Sequence, residues 1–136
     1  MAAVMRRQDW PERLAAFLEE RRAERFEWGR NDCVLFAADA VQAMTGVDLA
    51  APWRGQWDSR ASAVDALGRA GGLLAAVDMI LPAYDSPLMA GRGDVVAFAT
   101  RGRLGLAVCV GTDAVAPSAL GWQPRPMAEA LVGWRV

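Results

Sequence analysis

The chain has 136 residues, of which 54% are hydrophobic and 23% are charged, and its formal net charge is −1. These values are typical of one globular domain with its own core, and they exclude a disordered chain. A net charge so close to zero favours neither nucleic-acid binding nor attraction to an anionic membrane. All 15 basic residues are arginine and there is no histidine, so no imidazole is available for catalysis or for a metal. We therefore expect no metal and no cofactor.

The first half of the chain has the apolar spacing of helices. Asp9 and Glu12 form a capping-box-like pair, from which a first helix is predicted to reach about Arg25. Residues 26–30 interrupt this spacing and are predicted to form a turn or a short extended link. A second helix is predicted from about Cys33 to Met44.

The second helix has clear signals at both ends. Asn31 or Asp32 can cap its start, and Gly46 is well placed to end it. Residues 47–57 contain proline and glycine and are predicted to be a loop that Trp53 and Trp57 hold against the body. Two short helices complete the helical half: residues 63–70, which follow Ser59 and close at Gly71-Gly72, and residues 73–80, which stop before Pro82.

The second half has the pattern of short strands. Gly93-Asp94 opens an apolar run that predicts a buried strand. Helices followed by a meander of strands indicate an α+β fold in a single domain, residues 1–136, without repeats or a linker. The predicted elements are strands at 95–99, 106–110, 114–116 and 132–136, a turn at 101–103, a loop at 121–126 and a helical turn at 127–131.

No segment of the sequence predicts export or membrane insertion. The N-terminal residues lack the apolar core of a signal peptide, and no apolar run is long enough to cross a bilayer. Two cysteines, Cys33 and Cys109, make no disulfide framework. We therefore expect a chain that is synthesised in a bacterial cytoplasm and stays reduced.

Cys33 is the residue best suited to act as a nucleophile. A cysteine in the first turn of a helix lies at the positive end of the helix dipole, which lowers its pKa and favours the nucleophilic thiolate. The alternative is that Cys33 fills space, as most free cysteines do. The arginines at 21, 22 and 25 alternate with glutamate and are more typical of a solvated helix face than of a binding patch.

The residues around Cys33 resemble a known family. The pattern Phe-x-Trp-Gly-x-x-Asp-Cys at 26–33, followed by a helix, resembles the nucleophile segment of the NlpC/P60 branch of papain-like cysteine peptidases. Gly93-Asp94-Val95-Val96 resembles that family's Gly-Asp strand start. From Phe26 to Val136 the chain is similar to small phage and prophage proteins related to NlpC/P60. The further shared motifs, in order, are Thr45-Gly46 near Asp48, Arg54-Gly55-Gln56-Trp57, Ala70-Gly71-Gly72 and Trp134-Arg135-Val136.

The resemblance implies a papain-like fold in which N-terminal helices pack on a small antiparallel sheet. It places Cys33 on the nucleophile and Asp32 on the acid that helps to hold a substrate amine. The serine that adjoins the nucleophile in peptidoglycan-cleaving members is Val34 here. The catalytic histidine is expected at or beside Gly105, where no side chain can accept a proton. The residue that would orient this histidine, expected near 116–118, cannot be placed.

The missing histidine decides the functional expectation. A cysteine hydrolase uses imidazole both to form the thiolate and to protonate the leaving amine. Losing general acid–base help typically slows a reaction about 10²–10⁴-fold. Arginine cannot replace it because it keeps its proton in proteins. Asp32 or Asp94 would act as an acid only if burial raised its pKa.

Three hypotheses follow. The first is an inactive NlpC/P60-like domain that serves as a structural component of a phage or gene-transfer-agent tail tip, with other tail-tip or baseplate proteins as partners and the virion as its location. The second is a peptidoglycan stem-peptide hydrolase with Cys33 as nucleophile and an unrecognised base. The third is a module that binds peptidoglycan without cutting it.

Overall fold

The structure is a computed structural model that describes residues 4–136. Four helices precede five strands, and the strands form one antiparallel sheet in the order β4-β3-β2-β1-β5. The expected α+β fold, with helices first and a strand meander second, is confirmed. The elements are α1 Trp10–Arg21, α2 Cys33–Thr45, α3 Arg60–Gly68, α4 Leu73–Asp78, β1 Val95–Thr100, β2 Arg103–Cys109, β3 Asp113–Ser118, β4 Gly121–Pro126 and β5 Val132–Trp134, with 3-10 turns at Pro87–Met89 and Met127–Glu129.

Helix α2 is the centre of the fold because it is apolar on almost every side. One face packs on the sheet, and Phe36 meets Phe17 of α1 with ring centroids 5.2 Å apart. Another face, through Leu35, packs on the loop residue Trp57 and on α3 at Leu67. The helix ends at Gly46, whose φ of 81° is readily adopted only by glycine, as the sequence predicts.

Both faces of the sheet are covered, which explains the continuous apolar run in β1. Val95 and Ala97 point to the helices, and Val96 and Phe98 point to the opposite side. There, Met127 of the second 3-10 turn closes the core. The fold therefore holds α2 rigidly against the middle of the sheet.

The β1–β2 hairpin positions one wall of the site. Its turn residues Arg101 and Gly102 both have positive φ, 53° and 76°, as two-residue hairpin turns require. Arg103 already belongs to β2, so the predicted three-residue turn is one residue too long. The register places Gly105 opposite Phe98.

Three sequence predictions about the periphery were wrong. Helix α1 ends at Arg21 instead of about Arg25, and Asp9 makes no capping bond because its carboxylate accepts from Arg13. Residues 121–126 form strand β4 instead of a loop. Pro124 and Pro126 are tolerated there because β4 is an edge strand, which leaves one side without ladder bonds.

Asp94 joins the two ends of the described chain. Its buried carboxylate accepts from the Arg6 guanidinium at 2.9 Å and from the backbone N–H of Val136 at 2.9 Å. It also accepts from the Tyr84 hydroxyl at 2.8 Å and the Gly91 N–H at 2.9 Å. Hence Asp94, at the start of β1, has a structural role that accounts for the Gly-Asp motif.

Among residues 4–136, no helix has both the length and the apolar composition needed to cross a membrane.

Candidate functional site

The segment before α2 is a tight turn shaped by Gly29. Its φ is +82°, and a Cβ added there would overlap the carbonyl oxygen of Trp57. The turn closes through the backbone, with the Asn31 N–H donating to Glu27 at 2.8 Å. Only glycine can adopt this φ without strain and leave room for the Trp57 carbonyl. The glycine of the Trp-Gly pair in the motif is therefore required by the shape of the turn.

Asp32 is the N-cap of α2 and is 1% exposed. One carboxylate oxygen accepts from the Leu35 N–H at 2.9 Å. The other accepts from the Gly29 N–H at 2.9 Å and from the indole N–H of Trp57 at 2.8 Å. The sequence offered Asn31 or Asp32 as the cap, and the structure shows that it is Asp32. The Asn31 side chain instead donates to the carbonyls of residues 24 and 25.

These three bonds bear on the predicted substrate-amine role of Asp32. A carboxylate with three internal N–H donors and almost no exposed surface is already satisfied by the fold. A substrate amine would compete with the helix cap and with Trp57 for the same oxygens. The amine-binding role stays a prediction, and the geometry favours a structural one.

Cys33 is the first residue of α2 and is partly exposed at the floor of a cleft. A Cβ built on Gly105 would lie 3.6 Å from the Cys33 sulfur, at ordinary van der Waals distance. The position at which the resemblance implies a histidine thus directly faces the thiol. In this chain that position carries only a hydrogen atom.

The thiol is not activated by its surroundings. Burial raises the pKa of Cys33 above its usual range, and the nearby charge of Asp32 adds to this, although the backbone of Leu106 and Val34 opposes it. Desolvation is the largest cause of this shift, whose direction is opposite to the lowering expected for a cysteine at a helix start.

The cleft has a volume of about 630 Å³ and lies between α3 and the end of the β1–β2 hairpin. Aromatic and apolar side chains form much of its lining, including Trp28, Val64 and Leu104. Its charged lining residues are the buried Asp32 and three exposed arginines, Arg60, Arg101 and Arg103.

A second, smaller depression of about 280 Å³ adjoins Cys33 on the side of β3 and β4. Ala116 and Pro117, where the histidine-orienting residue was expected, line it without a side chain that could orient an imidazole. Its polar side chains are those of Thr100, Gln123 and Arg125, and the Arg125 guanidinium is bound to Glu129 and Thr100. Apart from Asp32, no carboxylate of the described residues lines either depression.

Asp94, the other acid considered from the sequence, lines neither depression and is fully engaged at the start of β1. Within residues 4–136, no three His, Cys, Asp or Glu side chains converge in a way that could hold a metal ion. Among the described residues, the site therefore joins a thiol of raised pKa, a satisfied carboxylate and a cationic rim.

Sequence reasoning missed two parts of this site. It assigned Trp57 to holding the loop, but the partner, the Asp32 carboxylate, was not foreseen. It also passed over Arg60, Arg101 and Arg103, which come from two segments about forty residues apart. All basic residues of the chain are arginine, so a single arginine does not indicate a binding site. The sequence signal for the rim is therefore limited to the two closely spaced arginines of the Arg101-Gly102-Arg103 turn.

Fold and site together define a small α+β domain with an arginine-rimmed cleft around a helix-start cysteine. Residues 5–136 match the model of the Domain of unknown function (DUF6950), and the chain belongs to this family. No curated protein matches the chain. No solved structure matches it either.

Proposed function

We propose that this chain is a non-catalytic NlpC/P60-like domain that serves as an assembly component of a phage or phage-like tail tip. The observation that carries the proposal is the pairing of Cys33 with Gly105, across which a thiol faces a residue without a side chain. The cleft and the nucleophile position are kept, while the group that would make the thiol reactive is absent.

The arrangement of elements supports a papain-like origin. A helix that begins with Cys33 packs on an antiparallel sheet. Gly105, the residue that faces this cysteine, lies on strand β2 of that sheet. This is the relation that the resemblance to NlpC/P60 implies between nucleophile and base. The Trp-Gly-x-x-Asp-Cys and Gly-Asp motifs have structural roles here, as a tight turn with a helix cap and as the anchor at Asp94, and these roles persist without catalysis.

The chemistry of the site argues against hydrolysis. A raised thiol pKa leaves little thiolate at neutral pH, and no lining residue can return a proton to a leaving amine. A domain that loses turnover but keeps its shape can still contribute surface to an assembly. Tail-tip or baseplate proteins are the partners we propose, and the particle is the proposed location.

The test is to find the chain in particles. A tagged copy would be expressed from its own locus, particles would be induced and purified by density gradient, and the protein would be located by mass spectrometry and immunogold labelling. We expect label at one end of the tail, with equal incorporation of the Cys33→Ala variant. Absence of the chain from purified particles that contain all other tail proteins would refute the proposal.

Catalysis and wall binding are tested separately. Purified protein is incubated with muropeptides beside its Cys33→Ala variant, and products are separated by liquid chromatography. We expect no product that depends on Cys33; a Cys33-dependent cleavage would replace the proposal with the peptidoglycan hydrolase. Sedimentation with purified sacculi distinguishes a wall-binding module, for which retention in the pellet would be the positive result.

A further inference from the structure

The rim of the cleft is a cluster of unpaired positive charges. Arg60 is the first residue of α3, Arg101 lies in the hairpin turn and Arg103 begins β2, so these three residues line one cleft from two sides. Among residues 4–136, none of the three has a carboxylate partner or a side-chain hydrogen bond.

The other arginines of the described residues fall into two groups. Eight have a carboxylate partner, as Arg21 and Arg54 do with Asp39 and as Arg125 does with Glu129. Arg7, Arg25, Arg92 and Arg135 have none, so the rim is distinguished by the place of its three charges around one opening. Three like charges around one opening repel each other, and a cleft with apolar walls focuses their field on whatever enters it.

The walls between these charges are apolar. Val64 of α3 is 58% exposed and Leu104 of β2 is 44% exposed, although both line the cleft. An occupant that covered them would remove apolar surface from water while its anionic groups met the arginines. Cationic groups beside exposed aliphatic side chains in a cleft of about 630 Å³ suit a few residues of extended chain.

From this charge and surface complementarity we propose that the cleft binds an acidic segment of a partner polypeptide, in which aspartate or glutamate alternates with apolar residues. The carboxylates pair with Arg60, Arg101 and Arg103, and the apolar side chains lie on Val64 and Leu104. A peptide fits better than a nucleic acid because the chain has a net charge of −1 and the arginines border a cleft with apolar walls. This inference names the contact surface of the assembly role proposed above and rests on it.

The backbone at Arg101 has a conformation that is unusual for arginine. Its φ of 53° is the left-handed conformation, which glycine and asparagine adopt more easily than arginine. The hairpin would form with less strain if asparagine were there. The turn therefore presents a guanidinium at a conformational cost to the fold.

The test uses an array of synthetic twelve-residue peptides in acidic, neutral and basic classes of matched apolar content, probed with labelled protein. The strongest peptides are then measured in solution by fluorescence anisotropy. We expect binders only in the acidic class, and weaker binding as sodium chloride rises from about 50 to about 300 mM.

Variants locate the binding surface. The double variant Arg101→Asn/Arg103→Gln removes two rim charges and should weaken binding about tenfold or more. Its matched control, Arg22→Gln/Arg69→Gln, removes two exposed charges outside the cleft and should bind as the parent does. Circular dichroism and thermal melting verify that both fold.

Four outcomes would overturn the inference: no binder above background, binders spread evenly over the classes, equal binding by the two double variants, or preference for an oligonucleotide of the same charge. The outcome of the particle test is independent of the outcome of the peptide test. If the chain is found in particles but no acidic peptide binds, only this inference fails. If acidic peptides bind at the rim but no particle contains the chain, the tail assignment fails and the cleft assignment stands.

Discussion

The indole N–H of Trp57 donates to the Asp32 carboxylate at 2.8 Å, so the loop between α2 and α3 is held by the same side chain that caps α2. This bond joins two segments that are 25 residues apart in the chain. It fixes the floor of the cleft, because Cys33 follows the cap directly and Trp57 lines the same cleft.

Replacing Asp32 by asparagine should destabilise the fold. An amide offers one acceptor oxygen where the carboxylate oxygens accept three N–H groups, and its own NH₂ would face donors. We expect a loss of about 1–3 kcal/mol in the free energy of unfolding, measured by urea denaturation. Asp85→Asn, at an exposed position, is the control and should change little. An unchanged midpoint for Asp32→Asn would show that the cap contributes nothing.

Placing a base opposite Cys33 should activate the thiol. Gly105 has space for a Cβ at 3.6 Å from the sulfur, so Gly105→His can bring an imidazole beside it. An imidazolium stabilises the thiolate and lowers its pKa. We expect alkylation by iodoacetamide at pH 7 to become about tenfold faster or more, since one pKa unit changes the thiolate fraction about tenfold.

Two controls make the Gly105→His result specific. Gly105→Gln adds a polar side chain of similar size without a base, and Gly105→His in a Cys33→Ala background removes the thiol. Neither should gain reactivity at residue 33. If the glutamine variant were as reactive as the histidine variant, the gain would come from loosened packing and the proposed pairing would be wrong.

The partly buried thiol of Cys33 should make the free energy of unfolding fall in alkaline solution. The pKa of Cys33 is higher in the folded state than in the unfolded state, so the unfolded chain releases this proton first as pH rises. The stabilisation that this thiol contributes is fully present below its pKa in the unfolded chain. It is lost as the pH rises through its pKa in the folded protein. Urea midpoints measured from neutral pH to about pH 10 should therefore fall more steeply for the parent than for Cys33→Ala.

Cys109 can stay in both proteins. Burial raises the pKa of its thiol as well, but its titration, like that of Tyr84, is common to the two proteins and cancels in the difference. Parallel pH profiles for the two proteins would contradict a raised pKa at Cys33.

Asp94→Asn should be among the most damaging single substitutions. The change removes the negative charge that binds Arg6 and weakens the bonds to Tyr84 and Val136. Breaking a buried ion pair from one side destabilises proteins by about 3–5 kcal/mol. The measurement is again urea denaturation, with Asp65→Asn as control, because the exposed pair of Asp65 with Arg69 should contribute little. Equal effects of the two substitutions would argue against the anchoring role.

The sequence predicted the elements whose signals are local. Helix α2 has its cap at Asp32 and its left-handed end at Gly46, and β1 is an uninterrupted apolar run. Strand β4 was not predictable, since Pro124 and Pro126 are typical of loops and only pairing with β3 makes the segment a strand. The early end of α1 has a similar cause: beyond Arg21 the chain bonds to the sheet, as the Phe26 N–H does to Ser118.

The site divides in the same way. The place of Cys33 at a helix start follows from local sequence, whereas its proximity to Gly105 depends on the packing of α2 on β2. The sign of the thiol pKa shift was wrong because burial depends on how β2 packs over the helix start. The rim formed by Arg60, Arg101 and Arg103 is a property of the folded chain alone.

The anchor at Asp94 has a consequence for engineering. Residues 6 and 136 are held side by side, since the Arg6 guanidinium also donates to the Val136 carbonyl at 3.0 Å. A short peptide that joins residues 6 and 136 can therefore close the described domain into a circle without disturbing the sheet, and the domain can be grafted into a surface loop of a carrier protein. Such a graft leaves the cleft free of tags and gives the domain a fixed orientation.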